Sequence, residues 1–124
     1  MKLILNKKYN PLFSSDARYF IITGGRGSGK SFAVTVFLTL LTMTKGIRIL
    51  FTRYTMTSAH LSIIPEFLEK IGLLGFDEVF SINKAEVVNT SNQSDILFRG
   101  IRTSAGNQTA SLKSLQGIST WVLD

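Results

Sequence analysis

The chain has 124 residues, no cysteine, a single histidine and a formal charge of +6, which gives one domain at most, with room for a real core. The missing cysteines exclude a disulfide framework and a thiolate zinc site, and the lone histidine, His60, excludes a histidine-rich metal centre and a serine triad built elsewhere. Residues 1–53 carry nine Lys/Arg against one Asp, a balance of +8, whereas the remainder balances to −2; the basic half suits polyphosphate or nucleic acid, or else is a set of scattered solvated lysines.

Residues 1–18 read as an irregular lead-in with Lys7-Lys8-Tyr9-Asn10-Pro11 and Phe13, whose aromatics either pack under a sheet or lie over an adenine ring. Leu3-Ile4-Leu5 is too short for a signal-peptide core, and Phe32 to Met43 is too short and too rich in threonine to span a bilayer. A soluble, intracellular protein without a membrane partner is expected. Tyr19-Phe20-Ile21-Ile22-Thr23, aromatic and β-branched, predicts a buried strand ending where glycines begin.

Gly24 to Ser31 reads GGRGSGKS and fits the phosphate-loop pattern of Gly, four variable residues, then Gly-Lys-Ser. Gly24, Gly25, Gly27 and Gly29, with Arg26 and Ser28 between them, offer a backbone whose N–H groups can close around phosphate oxygens. Lys30 brings a compact positive charge to the β- and γ-phosphates, and the Ser31 hydroxyl supplies one ligand to Mg²⁺. Phe32 to Met43 alternates with period two, yet its length, Gly46 beyond it as a helix stop, and the need for a helix N-terminus at the phosphates predict a helix buried against a sheet.

Ile47 to Thr52 predicts a second strand parallel to the first, closing the segment 19–56. Within 57–119, Thr57 stands as an N-cap, and Leu61, Ile64, Leu68 and Ile71 form a helical stripe running to Gly72, kinked or split at Pro65. His60 is read as a polar residue in the first turn of that helix. Val79–Ile82, Glu86–Asn89 and Ile96–Arg99 predict a small antiparallel insert, followed by a polar loop and one helical turn at Leu112–Leu115. The strand of residues 120–124, Thr120-Trp121-Val122-Leu123-Asp124, delivers an aspartate suited to orienting Mg²⁺ opposite Ser31.

The Asn10-Pro11-Leu12-Phe13 lead-in, GGRGSGKS, the strand ending Thr52-Arg53, Phe98-Arg99-Gly100, Leu112-Lys113-Ser114-Leu115-Gln116-Gly117 and TWVLD together resemble the N-terminal ATPase domain of phage terminase large subunits of the PBSX-like type. The resemblance spans nearly the whole chain. It implies an α/β fold, a P-loop NTPase three-layer sandwich with a mostly parallel central sheet, incomplete at the C-terminus and carrying the small insert. It implies ATP and Mg²⁺ as cofactors, and double-stranded DNA, a terminase small subunit, a portal protein and a homo-oligomeric ring as partners, in the host cytoplasm. Arg26 then senses or stabilises the γ-phosphate, or is held by a neighbouring carboxylate, and Tyr9 and Asn10 contact adenine. Arg53 touches phosphate or is solvated or ion-paired, and Arg99, Arg102 and Lys113 face nucleotide or DNA backbone. The family continues past the aspartate with a water-polarising glutamate, and a later strand fills the place between the loop strand and the aspartate strand. Ile21 and Val122 are thus expected to flank an unfilled slot at a cost of several kcal/mol, in a truncated chain that binds ATP and barely hydrolyses it. The rival readings are a P-loop kinase, a helicase-like NTPase and a non-enzymatic nucleotide-binding interaction module.

Overall fold

The computed structural model describes residues 7–14, 17–25, 29–55, 59–83, 86–101 and 115–124. The lead-in folds as a 3₁₀ turn, Lys7–Tyr9, and a single helical turn, α1 (Pro11–Ser14). Asn10 starts α1: its carbonyl accepts the amides of Phe13 and Ser14 at 3.0 and 3.2 Å, while Pro11 sits where a missing N–H costs nothing.

α2 (Lys30–Leu41) is helical despite its alternating sequence. The Thr39 hydroxyl donates to the Thr35 carbonyl at 2.8 Å and that of Thr42 to the Thr39 carbonyl at 2.7 Å, so these polar groups can be buried without loss. The helix ends on Thr42, whose amide bonds back to Leu38; Gly46, expected as the stop, comes after a further turn, with φ +82°. From 59 onward a π-helical turn, Ala59–Ile63, runs into α3 (Ile64–Leu73) with Pro65 in its first turn, where proline does not break the helix. The predicted split at Pro65 is therefore a change of helical pitch. Thr57 lies outside the described residues.

Among the described residues five strands, β1 (Arg48–Arg53), β2 (Phe80–Ile82), β3 (Glu86–Asn89), β4 (Asp95–Gly100) and β5 (Thr120–Leu123), form one sheet in the order β2-β3-β4-β1-β5. β1 lies parallel to both neighbours, with Ile49 opposite Ile96 and Thr120, and Phe51 opposite Phe98 and Val122. The insert is not a separate sheet. β2 and β3 pair antiparallel, but β3 pairs antiparallel with β4, and β4 belongs to the parallel centre. An apolar strand buried on both faces is what parallel pairing needs, and five of the six β4 residues are buried.

One face of this sheet presents Ile49, Phe51, Val87, Ile96 and Phe98 to α2 and α3, which add Leu38, Ile64, Phe67 and Ile71. Phe51, Phe67 and Phe98 meet at centroid distances of 5.5–6.0 Å. The described residues thus build two layers of an α/β sandwich. Lys70 of α3, buried, places its ammonium 4.7 Å from the Phe32 ring centroid and 3.2 Å from the carboxylates of Glu66 and Glu69, tying α3 to the first turn of α2. The turn between β3 and β4 closes the other end of α2. Asn89 and Asn92 donate to the Thr42 carbonyl, Asn92 also to that of Met43, and the Ser94 hydroxyl to that of Thr44 at 2.6 Å.

Residues 19–23 form no strand. Tyr19 is 84 % and Ile21 92 % exposed. A strand exists through its ladder, and β propensity without a pairing partner does not create one. β5 pairs with β1 on one side and is an edge on the other; Val122 packs on the core, while Trp121 and Leu123, on the opposite face, are exposed.

Candidate nucleotide site

Gly24 and Gly25 lie in irregular, exposed chain, and Arg26, Gly27 and Ser28 fall outside the described residues. Gly29 caps α2 with φ +80°, ψ 8°, a left-handed conformation that favours glycine, and its carbonyl accepts the Ala33 amide at 2.9 Å, the first bond of the helix. A glycine cap brings no side-chain oxygen to the first-turn amides, which remain available to an anion. Lys30, half-buried, and Ser31, exposed, are the first two residues of that turn.

Tyr9 lies beneath this turn, 5 % exposed, packed with Leu12 and Ala33 and with Lys8 ammonium 5.1 Å from its ring centroid. A Cβ built on Gly29 would stand 3.8 Å from the Tyr9 Cε2. The Tyr9 ring thus packs at the start of α2, against Gly29 and Ala33. Asn10 is exposed, with its carbonyl committed to α1.

Asp124 follows β5 directly. Its amide donates to the Thr52 carbonyl at 3.0 Å, so the β1–β5 ladder runs on to the aspartate and fixes where its side chain begins. The buried Thr52 reinforces the pair, its hydroxyl donating to the Val122 carbonyl and accepting from the Trp121 indole N–H, both at 2.9 Å. Arg53, the last residue of β1, sets its Nε 2.7 Å from Asp124 Oδ2, and its Nη1 donates to the Ser62 hydroxyl in the π-helical turn. This arginine is ion-paired, as one of its two readings had it. Both partners keep partial exposure, 27 % and 35 %. Arg99 turns back to donate to the Phe98 carbonyl at 2.8 Å, and Arg102 and Lys113 fall outside the described residues.

Among the described residues no hydrogen bond or ion pair joins the side chains of Lys30 or Ser31 to Asp124, and none contains three or more His, Cys, Asp or Glu grouped to hold a metal. One carboxylate and one hydroxyl, both hard oxygen donors, suit a Mg²⁺ ion that keeps waters and takes its remaining ligands from phosphate; they do not suit an all-protein cage. Neither Arg53 as the partner of Asp124 nor Ser62 as its second contact carried a sequence signal, because both depend on which strand lies beside β1.

Among the described residues no helix is long and apolar enough to cross a membrane. A family model described as phage terminase large subunit matches residues 16–124, at the level of the family and without resolving the PBSX-like type. No match was found among curated proteins.

Proposed function

Because the chain belongs to the phage terminase large subunit family, whose members serve viral DNA packaging, we propose that it binds Mg-ATP at Gly24–Ser31 and Asp124 and that hydrolysis at this site drives double-stranded DNA into a procapsid. The observation that carries the reading is the left-handed Gly29 at the start of α2, within the sequence GGRGSGKS, together with Asp124 directly after β5 in the parallel part of the sheet. Backbone amides of the loop hold the phosphates, Lys30 faces the β- and γ-phosphates, and Arg26 offsets charge developing on the γ-phosphate. Ser31 and Asp124 hold Mg²⁺, which when bound neutralises charge on the phosphate oxygens. Asn10, exposed beside the loop, reads the adenine edge, while Tyr9 supports Gly29 from below.

Double-stranded DNA, a small subunit, a portal and further copies in a ring are the partners this role requires, and the host cytoplasm is where they meet. A P-loop kinase, the rival reading, would set the loop strand beside the aspartate strand; the family match over residues 16–124 favours the motor.

The test is a titration of the chain with Mg²⁺ and a non-hydrolysable ATP analogue, followed by calorimetry and by Trp121 emission. Saturable binding is expected, weakened at least about ten-fold in Lys30→Ala through loss of a charge-assisted phosphate contact. Binding that survives Lys30→Ala unchanged, or no binding by a wild-type chain with intact circular dichroism, refutes the assignment.

A further inference from the structure

The Arg53 guanidinium touches two things at once: the carboxylate that ends β5 and the hydroxyl of Ser62 in the π-helical turn leading into α3. A guanidinium carries five donors in a rigid fork, so it can bridge two acceptors where a lysine ammonium behaves as a point charge. π-helical turns recur at functional sites. This one runs directly into α3, whose Phe67 and Ile71 lie in the core and whose Lys70 reaches Phe32, next to Ser31.

Resting on the Mg-ATP site proposed above, we propose that Arg53 is a positioning residue: it competes with a divalent cation for Asp124 and, through Ser62, passes the state of that carboxylate to the turn at 59–63. With Asp124 held by Arg53, the guanidinium is fixed and the Ser62 bond is oriented. When the carboxylate turns to a cation, the like-charged guanidinium is repelled and its hold on Ser62 loosens. The residue after β5 and the turn that leads into α3 are thereby linked through one side chain.

The test uses the full chain with Mn²⁺ and a non-hydrolysable ATP analogue. Free Mn²⁺ is read by electron paramagnetic resonance and the backbone of 59–73 by amide hydrogen exchange. Removing the internal competitor in Arg53→Gln is expected to tighten Mn²⁺ binding about two- to five-fold, the range a partly exposed ion pair supplies, and to abolish the nucleotide-dependent change in exchange at 59–63. Arg53→Lys restores wild-type Mn²⁺ affinity without restoring the exchange change. Ser62→Ala, which leaves the carboxylate pair intact, keeps the wild-type affinity and loses the exchange change, and so stands in if Arg53→Gln fails to fold. Equal or weaker Mn²⁺ binding in Arg53→Gln, or a wild-type exchange response in Ser62→Ala, overturns this inference while leaving the nucleotide site in place. A wild-type chain that binds no nucleotide overturns both.

Discussion

Phe67→Ala is the substitution to which the described core should respond most. Phe67 is fully buried, at 0 % exposure, and its ring meets Phe51 edge-on at 6.0 Å and Phe98 at 5.5 Å. Truncating a buried phenylalanine to alanine costs about 3–5 kcal/mol through lost transfer energy and the void left behind. The two ring contacts account for roughly 0.5–1.5 kcal/mol each of that loss. A domain stable by about 5–15 kcal/mol would lose between about a fifth and all of its margin. Phe67→Leu keeps most of the volume and forfeits the ring geometry, so a smaller loss of about 1–2 kcal/mol is expected. Urea unfolding followed by far-UV circular dichroism separates the two, with a midpoint shift for alanine of about 2 M at a slope near 2 kcal/mol per molar. An alanine variant that loses less than about 1.5 kcal/mol at unchanged slope, or that matches the leucine variant, refutes the packing described for this face.

Gly29→Ala is expected to cost about 1–2 kcal/mol, because φ is +80° while the new methyl would meet only Tyr9 Cε2 at an ordinary 3.8 Å; a melting temperature equal to wild type would show that no left-handed cap exists there. Asn89→Ala removes a buried amide that donates to the Thr42 carbonyl and accepts from both the amide and the hydroxyl of Ser91. A loss of about 1–2 kcal/mol in chemical denaturation is expected, at the lower end of such losses because Asn92 still reaches Thr42. Asn89→Asp keeps the acceptor and loses the donor, so it should be no more stable than alanine; recovery by aspartate would contradict the hydrogen-bond assignment.

The parts of the fold legible in the sequence are those fixed by local rules. The helix that starts at Lys30 after Gly29 is readable once length and the glycine cap outweigh the two-residue period of Phe32, Val34 and Val36. β1, β3 and β5 lie within one residue of expectation. What failed depended on neighbours. Tyr19–Thr23 has strand composition, but composition does not supply a ladder. Ile96–Arg99 reads as part of a small antiparallel insert, and it does pair antiparallel with β3; only its second pairing, Ile96 with Ile49, shows that it is also central. The polar run Thr90–Ser94 gives no sign in the sequence that, with Asn89 at the end of β3, its side chains bond the carbonyls of Thr42, Met43 and Thr44 just past α2. Of the site, Lys30, Ser31 and Asp124 were legible as types in a pattern, whereas the Arg53 bridge was not, because β1 and β5 are about seventy residues apart and meet only in the sheet.

The two ends of α2 are held by bonds of different character. Beyond Leu41, directional hydrogen bonds from the β3–β4 turn pin the carbonyls of Thr42, Met43 and Thr44; at Phe32 and Ala33 the contacts are aromatic and apolar and tolerate sliding. A helix of 12 residues is an arm of about 18 Å. Each ångström of travel at its glycine end therefore swings the rod by roughly three degrees about a fixed pivot, and whatever pulls on Lys30 is felt first at Phe32 and the Lys70 beside it, not at the hairpin.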